Sequence, residues 1–114
     1  MKGSDYAQAR RQVDLLRREI RKVFTNVDLL VTPTMVALAP LLEAGGNAGP
    51  GRNNNAPFDV FGLPAISVPC GFTRSGLPIG LQIVGAPFAE SIVLALAYAY
   101  EQKTDWHSRH APIT

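Results

Sequence analysis

The amino-acid sequence predicts an α/β fold, a small mixed sheet that contains an antiparallel hairpin and is flanked by helices. Three observations predict it. A helical apolar stripe fills the start of the chain, two short apolar runs joined by a Gly/Pro-punctuated turn occupy residues 65–84, and a second helical pattern follows at once. With 114 residues, 46% of them apolar and 18% charged, this order fits one domain over residues 1–114 with a modest core.

The first helix is written by Tyr6, Ala9, Val13, Leu16, Ile20, Val23 and Val27, which recur at steps of three and four and so share one face. Ser4 or Asp5 stands where an N-cap belongs. The stripe spans only about three heptads, so packing against a sheet is expected in preference to a coiled coil. Next comes "DLLVTPT", in which Leu29, Leu30 and Val31 run without alternation, the pattern of a strand covered on both faces. Pro33 limits its further pairing. From Met35 to Pro57 the chain reads as one long loop, rich in Gly and Pro and ending in Asn53-Asn54-Asn55.

Two strands are expected at Ala65–Cys70 and Ile79–Val84, with "GFTRSGLP" as their connection. Gln82 interrupts the second run, and a buried amide there requires hydrogen-bond partners. The second helix lies in "FAESIVLALAYAYEQ", with Phe88, Ile92, Val93, Leu96 and Tyr100 on its apolar face, and a polar tail closes the chain. The tripeptide Gly-Leu-Pro occurs twice, at residues 62–64 and 76–78, each time before a strand. The runs that follow share little, so turn chemistry accounts for the repeat better than duplication does.

A net charge of +2 gives no case for nucleic acid or an acidic membrane surface as partner. The cluster Arg10, Arg11, Arg17, Arg18, Arg21 and Lys22 is interleaved with Asp14 and Glu19 and reads as a solvated helix face. Cys70 is the single cysteine, which excludes an internal disulfide and fits a reducing cytoplasm. Its setting, "SVPCG", suits small core filling, since the two histidines, His107 and His110, stand in the tail. No apolar run approaches the ~20 residues of a membrane span. A cytoplasmic location is the expectation.

The stretch "APFDVFGLPAISVPCGF", continued by "GLPIGLQIVGAPFAESIVLALAYAYEQKTDWH", resembles the carboxy-terminal end of the amidase signature family. That family includes bacterial amidases and the A subunit of the glutamyl-tRNA amidotransferase. Upstream, "DYAQARRQVDLLRREIRKVF" and "VDLLVTPT" are similar to the family's preceding helix and strand, so the resemblance covers about Asp5 to His107. It implies a large α/β/α enzyme with a mixed sheet, of which this chain supplies the last strands and their helices. It also implies amide cleavage by a Ser–cis-Ser–Lys triad on a Gly/Ser-rich segment, with no cofactor or metal.

That segment has no counterpart here. The only lysines are Lys2, Lys22 and Lys103, and no glycine-serine run exists. Amide hydrolysis needs an activated hydroxyl, a base for its proton and donors for the oxyanion. Ser67 lies inside a strand with no lysine placed beside it, so no residue of this chain is assigned as catalytic. By resemblance, Arg52, Asn55 and Phe58 border the substrate cleft, although the family often carries threonine where Asn55 stands. The expectation is a carboxy-terminal fragment of an amidase-type hydrolase, inactive alone, whose partner is a second copy of itself or an amino-terminal amidase chain. The alternative is a non-catalytic module that self-associates through its uncovered apolar faces.

Overall fold

The computed structural model describes residues 2–40 and 53–110. Helix α1 (Gly3–Val23) leads into strand β1 (Leu29–Pro33). Helix α2 (Asn55–Phe61), strands β2 (Ala65–Phe72) and β3 (Pro78–Gly85), and helix α3 (Glu90–Glu101) follow in turn. One turn of 3-10 helix, Trp106–Ser108, ends the described chain. The strands form one sheet in the order β1-β3-β2. Both pairings are antiparallel, which corrects the mixed sheet expected from sequence. β1 runs in the same direction as β2 but lies on the far side of β3, so the described strands contain no parallel pair.

β3 is the central strand, and its last four residues, Gln82 to Gly85, are buried. β2 is an edge strand, which lets it carry Pro69 without losing an inner ladder bond. Pro69 pairs with Gly80 and Gly71 with Ile79, so Cys70 is the extra residue of a β-bulge. β1 is the other edge. Its Val31 is exposed, so the expected cover on both faces is absent among the described residues.

The doubled Gly-Leu-Pro now has a physical account. Gly62 has φ +68° and ends α2, while Gly76 has φ +81° and ends the hairpin turn. Each takes a left-handed conformation that favours glycine, and each is followed two residues later by a proline entering or preceding a strand. In the hairpin, Thr73 N–H donates to Leu77 O at 2.9 Å and Gly76 N–H to Thr73 O at 3.0 Å. At α2, Leu63 N–H donates to Phe58 O and Gly62 N–H to Asp59 O, both at 3.1 Å, a Schellman closure.

Helix α2 begins inside the stretch expected as loop from Met35 to Pro57. Pro57 falls in the first helical turn, where its missing N–H costs nothing, and Asn53 Oδ1 accepts the free Ala56 N–H at 3.1 Å. Helix α1 matches its sequence signal but starts earlier, at Gly3, with Asp5 Oδ2 accepting Lys2 N–H at 3.0 Å. It ends before Val27. None of its residues is buried, and its principal neighbour is α2, where Arg17 Nε donates to Val60 O at 2.9 Å. The expected packing of its stripe on the sheet is therefore not observed. The described residues are correspondingly extended, with a radius of gyration of 17.2 Å, against about 13 Å for a compact 100-residue domain.

The core lies between α3 and one face of the sheet, where Val68, Ile83, Val93 and Ala97 meet, edged by Leu29, Ile66, Leu81 and Tyr100. Burying a side chain such as Val93 contributes about 1.5–3 kcal/mol. Helix α3 approaches closely because Gly85 has no side chain: a Cβ there would stand 2.6 Å from Val93 Cγ2. The helix begins two residues beyond Phe88, which was expected on its apolar face and is instead 93% exposed. The 3-10 turn docks on the end of β2, with the rings of Trp106 and Phe72 6.2 Å apart and the Arg109 guanidinium 4.6 Å from the Trp106 ring.

Candidate functional site

Alternation along the strands sends Leu81 and Ile83 to the α3 side and Gly80 and Gln82 to the opposite face. Register puts Thr32 and Ser67 directly beside Gln82, one on each neighbouring strand. Residues so opposed have Cβ atoms about 4.5–5.5 Å apart. Just beyond β1, Thr34 N–H donates to Gly80 O at 2.9 Å, which brings the Thr34 side chain over Gly80. There the hydroxyls of Thr34 and Ser67 share a hydrogen bond of 2.5 Å. A Cβ on Gly80 would lie 2.7 Å from one oxygen and 2.8 Å from the other. Thr32, Thr34, Ser67 and Gln82 thus form a polar band across an otherwise apolar sheet, and glycine at position 80 makes room for it.

The start of α2 is tied to the same end of β1. Asn54 Nδ2 donates to Pro33 O at 2.7 Å, Asn54 N–H donates to Thr34 O at 3.3 Å, and Met35 bridges Asn53. The asparagine run therefore serves as a clasp. Asn55 and Phe58, the two described cleft candidates, are both half-buried on α2, and Arg52 lies outside the described residues. Three side-chain oxygens are buried without a hydrogen-bond partner among the described residues: Thr32 Oγ1, Asn55 Oδ1 and Gln82 Oε1. Gln82 is 4% exposed, so its burial is as expected, while the partner expected for its oxygen is not found.

The chemistry of this band is neutral hydrogen bonding. Its hydroxyls and carboxamides accept and donate protons in hydrogen bonds, but none is a base able to take the proton of a serine at neutral pH. Among the described residues, Ser67 has only Thr34 as its side-chain partner, and Lys22 is engaged with Glu19 at 2.7 Å on the surface of α1. Among the described residues, no group of three His, Cys, Asp or Glu side chains is arranged to hold a metal ion. Remote in sequence from the band, Arg109 donates to Asp105 at 2.9 Å and holds that carboxyl below its ordinary value. No described helix is long and apolar enough to cross a membrane.

Sequence reading singled out Ser67 and Gln82 separately but missed that Thr32 and Thr34 join them. The signal was present in the period of two within "LLVTPT" and "PIGLQIVG", and needed only the register to be read as a band.

A family model for amidases matches residues 1–94. The A subunit of glutamyl-tRNA(Gln) amidotransferase from Synechococcus sp. (strain JA-3-3Ab) is 42% identical over 113 residues, a match spanning 95% of this chain and 22% of that protein. The corresponding subunit of Thermodesulfovibrio yellowstonii is 43% identical over 109 residues, covering 90% of this chain and 22% of its own length. Among solved structures, 6-aminohexanoate cyclic dimer hydrolase superposes with a TM-score of 0.81 at 28% identity, over 98% of this chain and 27% of the hydrolase. The Thermotoga maritima amidotransferase A subunit superposes with a TM-score of 0.67 at 31% identity, over 89% of this chain and 24% of the subunit. The chain thus spans about a quarter of the length of the proteins it matches.

Proposed function

Because the chain belongs to the amidase signature family, we propose that it supplies the carboxy-terminal sheet-and-helix portion of an amidase-type hydrolase, which in complete form cleaves amide C–N bonds through a Ser–cis-Ser–Lys triad. The observation that carries this reading is the shape of the match: nearly all of this chain aligns, at 42% identity, with only 22% of the relative. In this role the chain provides a rigid antiparallel platform, and α2, clasped to β1, presents Asn55 and Phe58 to the substrate cleft. The nucleophile and its base come from polypeptide outside this chain, and the 114 residues are catalytically silent by themselves. The partner that completes the enzyme is an amino-terminal amidase polypeptide, and the setting is the cytoplasm.

The test is incubation of the purified chain with p-nitroacetanilide and, separately, with a serine-reactive fluorophosphonate. Neither turnover nor labelling above background is expected. Turnover that Ser67→Ala abolishes would overturn the reading. A second reading, a non-catalytic self-associating module, draws on the exposed stripe of α1, where Tyr6 and Leu16 are more than half exposed. Sedimentation at micromolar concentration separates the two, since a stable homodimer favours the module.

A further inference from the structure

Phe88 combines two anomalies. It is the only described non-glycine residue with positive φ, at +63°, and it is the most exposed of the described large apolar side chains. The turn Ala86–Ala89 is closed by Ala89 N–H donating to Ala86 O at 3.0 Å, with Pro87 and Phe88 at its centre. Proline followed by a left-handed residue is the pattern of a type II turn, whose third position calls for glycine or asparagine. A bulky aromatic there is strained. Among the described residues neither backbone conformation nor packing favours phenylalanine at this position.

We infer that Phe88 is an anchor by which this chain docks into an apolar pocket on the polypeptide that completes the amidase fold. The inference rests on the function proposed above. Its occupant follows from the superposition on 6-aminohexanoate cyclic dimer hydrolase. There, 98% of this chain is reproduced while accounting for only 27% of that protein, so the equivalent turn belongs to a much larger packed body. An exposed aromatic held rigidly on a proline turn is the side chain best suited to such a contact. It brings large apolar area with little rotamer entropy to lose, and the cost of its left-handed backbone is offset by the contact it makes on association.

The test compares one substitution in two settings, the 114-residue chain alone and a chimera in which it replaces the matching segment of the Thermodesulfovibrio yellowstonii subunit. Phe88→Gly relieves strain in the lone chain and should raise its melting temperature by ~4 °C. In the chimera the same change removes the anchor and should lower the melting temperature. Phe88→Asn, also tolerant of left-handed φ, should repeat both signs. A rise in both settings overturns the anchor. A fall in the lone chain, with loss of a dimer in sedimentation, overturns the assigned occupant in favour of a second copy. A chimera that fails to fold with the unaltered segment overturns the functional reading itself and the anchor with it.

Discussion

Substituting Gly80 by alanine tests the polar band directly. The new Cβ would stand 2.7 Å from Thr34 Oγ1, 2.8 Å from Ser67 Oγ and 3.1 Å from Thr34 Cβ. Ser67 is exposed and its hydroxyl can rotate away, but Thr34 Cβ moves only if the backbone after β1 moves. The shared hydrogen bond is then lost, at about 0.5–1.5 kcal/mol, with water recovering part of it at Ser67. Forcing an extra methyl into a filled space adds about 1–3 kcal/mol. Restricting the unfolded chain offsets about 0.4–1 kcal/mol. The net expectation is a loss of about 1–3 kcal/mol, or ~4–12 °C in melting temperature. Thermal melting followed by circular dichroism measures it. Placing Gly80→Ala in a Thr34→Ala, Ser67→Ala background removes both oxygens and should reduce the penalty, a coupling that a double-mutant cycle resolves. If Gly80→Ala melts with the parent, the hydroxyl pair does not sit over residue 80 and the band is wrongly built.

Two further expectations concern single groups. Gln82 Oε1 is buried without a partner among the described residues, so Gln82→Leu should leave stability unchanged or raise it by up to about 1–3 kcal/mol in the lone chain, and a clear fall in urea denaturation would show that the oxygen is satisfied after all. Asp105 titrates below its ordinary value of 3.8 because Arg109 donates to it. A depressed folded-state pKa gives a contribution that is complete above the ordinary value and lost as pH falls through the lower one. Arg109→Gln should therefore move the carboxyl titration, followed by NMR, up toward 3.8, whereas an unmoved midpoint would contradict the contact.

What was legible in the sequence was what local periodicity encodes. Helices α1 and α3 and the hairpin announce themselves through steps of three and four and through runs bounded by Gly and Pro. The Gly-Leu-Pro repeat reads as turn chemistry, and the left-handed φ of Gly62 and Gly76 supplies the reason. Helix α2 was missed because three consecutive asparagines and Pro57 look like loop. Yet Asn53 and Asn54 are the clasp and cap region, and Pro57 sits in the one turn that tolerates it. Which strands pair is a tertiary fact. Nothing in "DLLVTPT" states that it lies beside β3 rather than β2, so neither the antiparallel sheet nor the Thr32–Gln82–Ser67 row could be read from it. Phe88 shows the opposite limit, since its spacing belongs to the stripe of α3 while the backbone turns it outward before the helix begins.

The measurement closest to the central claim is amide hydrolysis by the chimera that carries this chain in place of the matching segment of the Thermodesulfovibrio yellowstonii subunit. The account predicts p-nitroacetanilide turnover or fluorophosphonate labelling that depends on the host subunit's own serine nucleophile, persists in Ser67→Ala, and is absent from the 114-residue chain alone. A folded chimera that is inert while the unaltered subunit reacts would contradict the claim that this chain completes an amidase, and so would equal activity from the chain without its host.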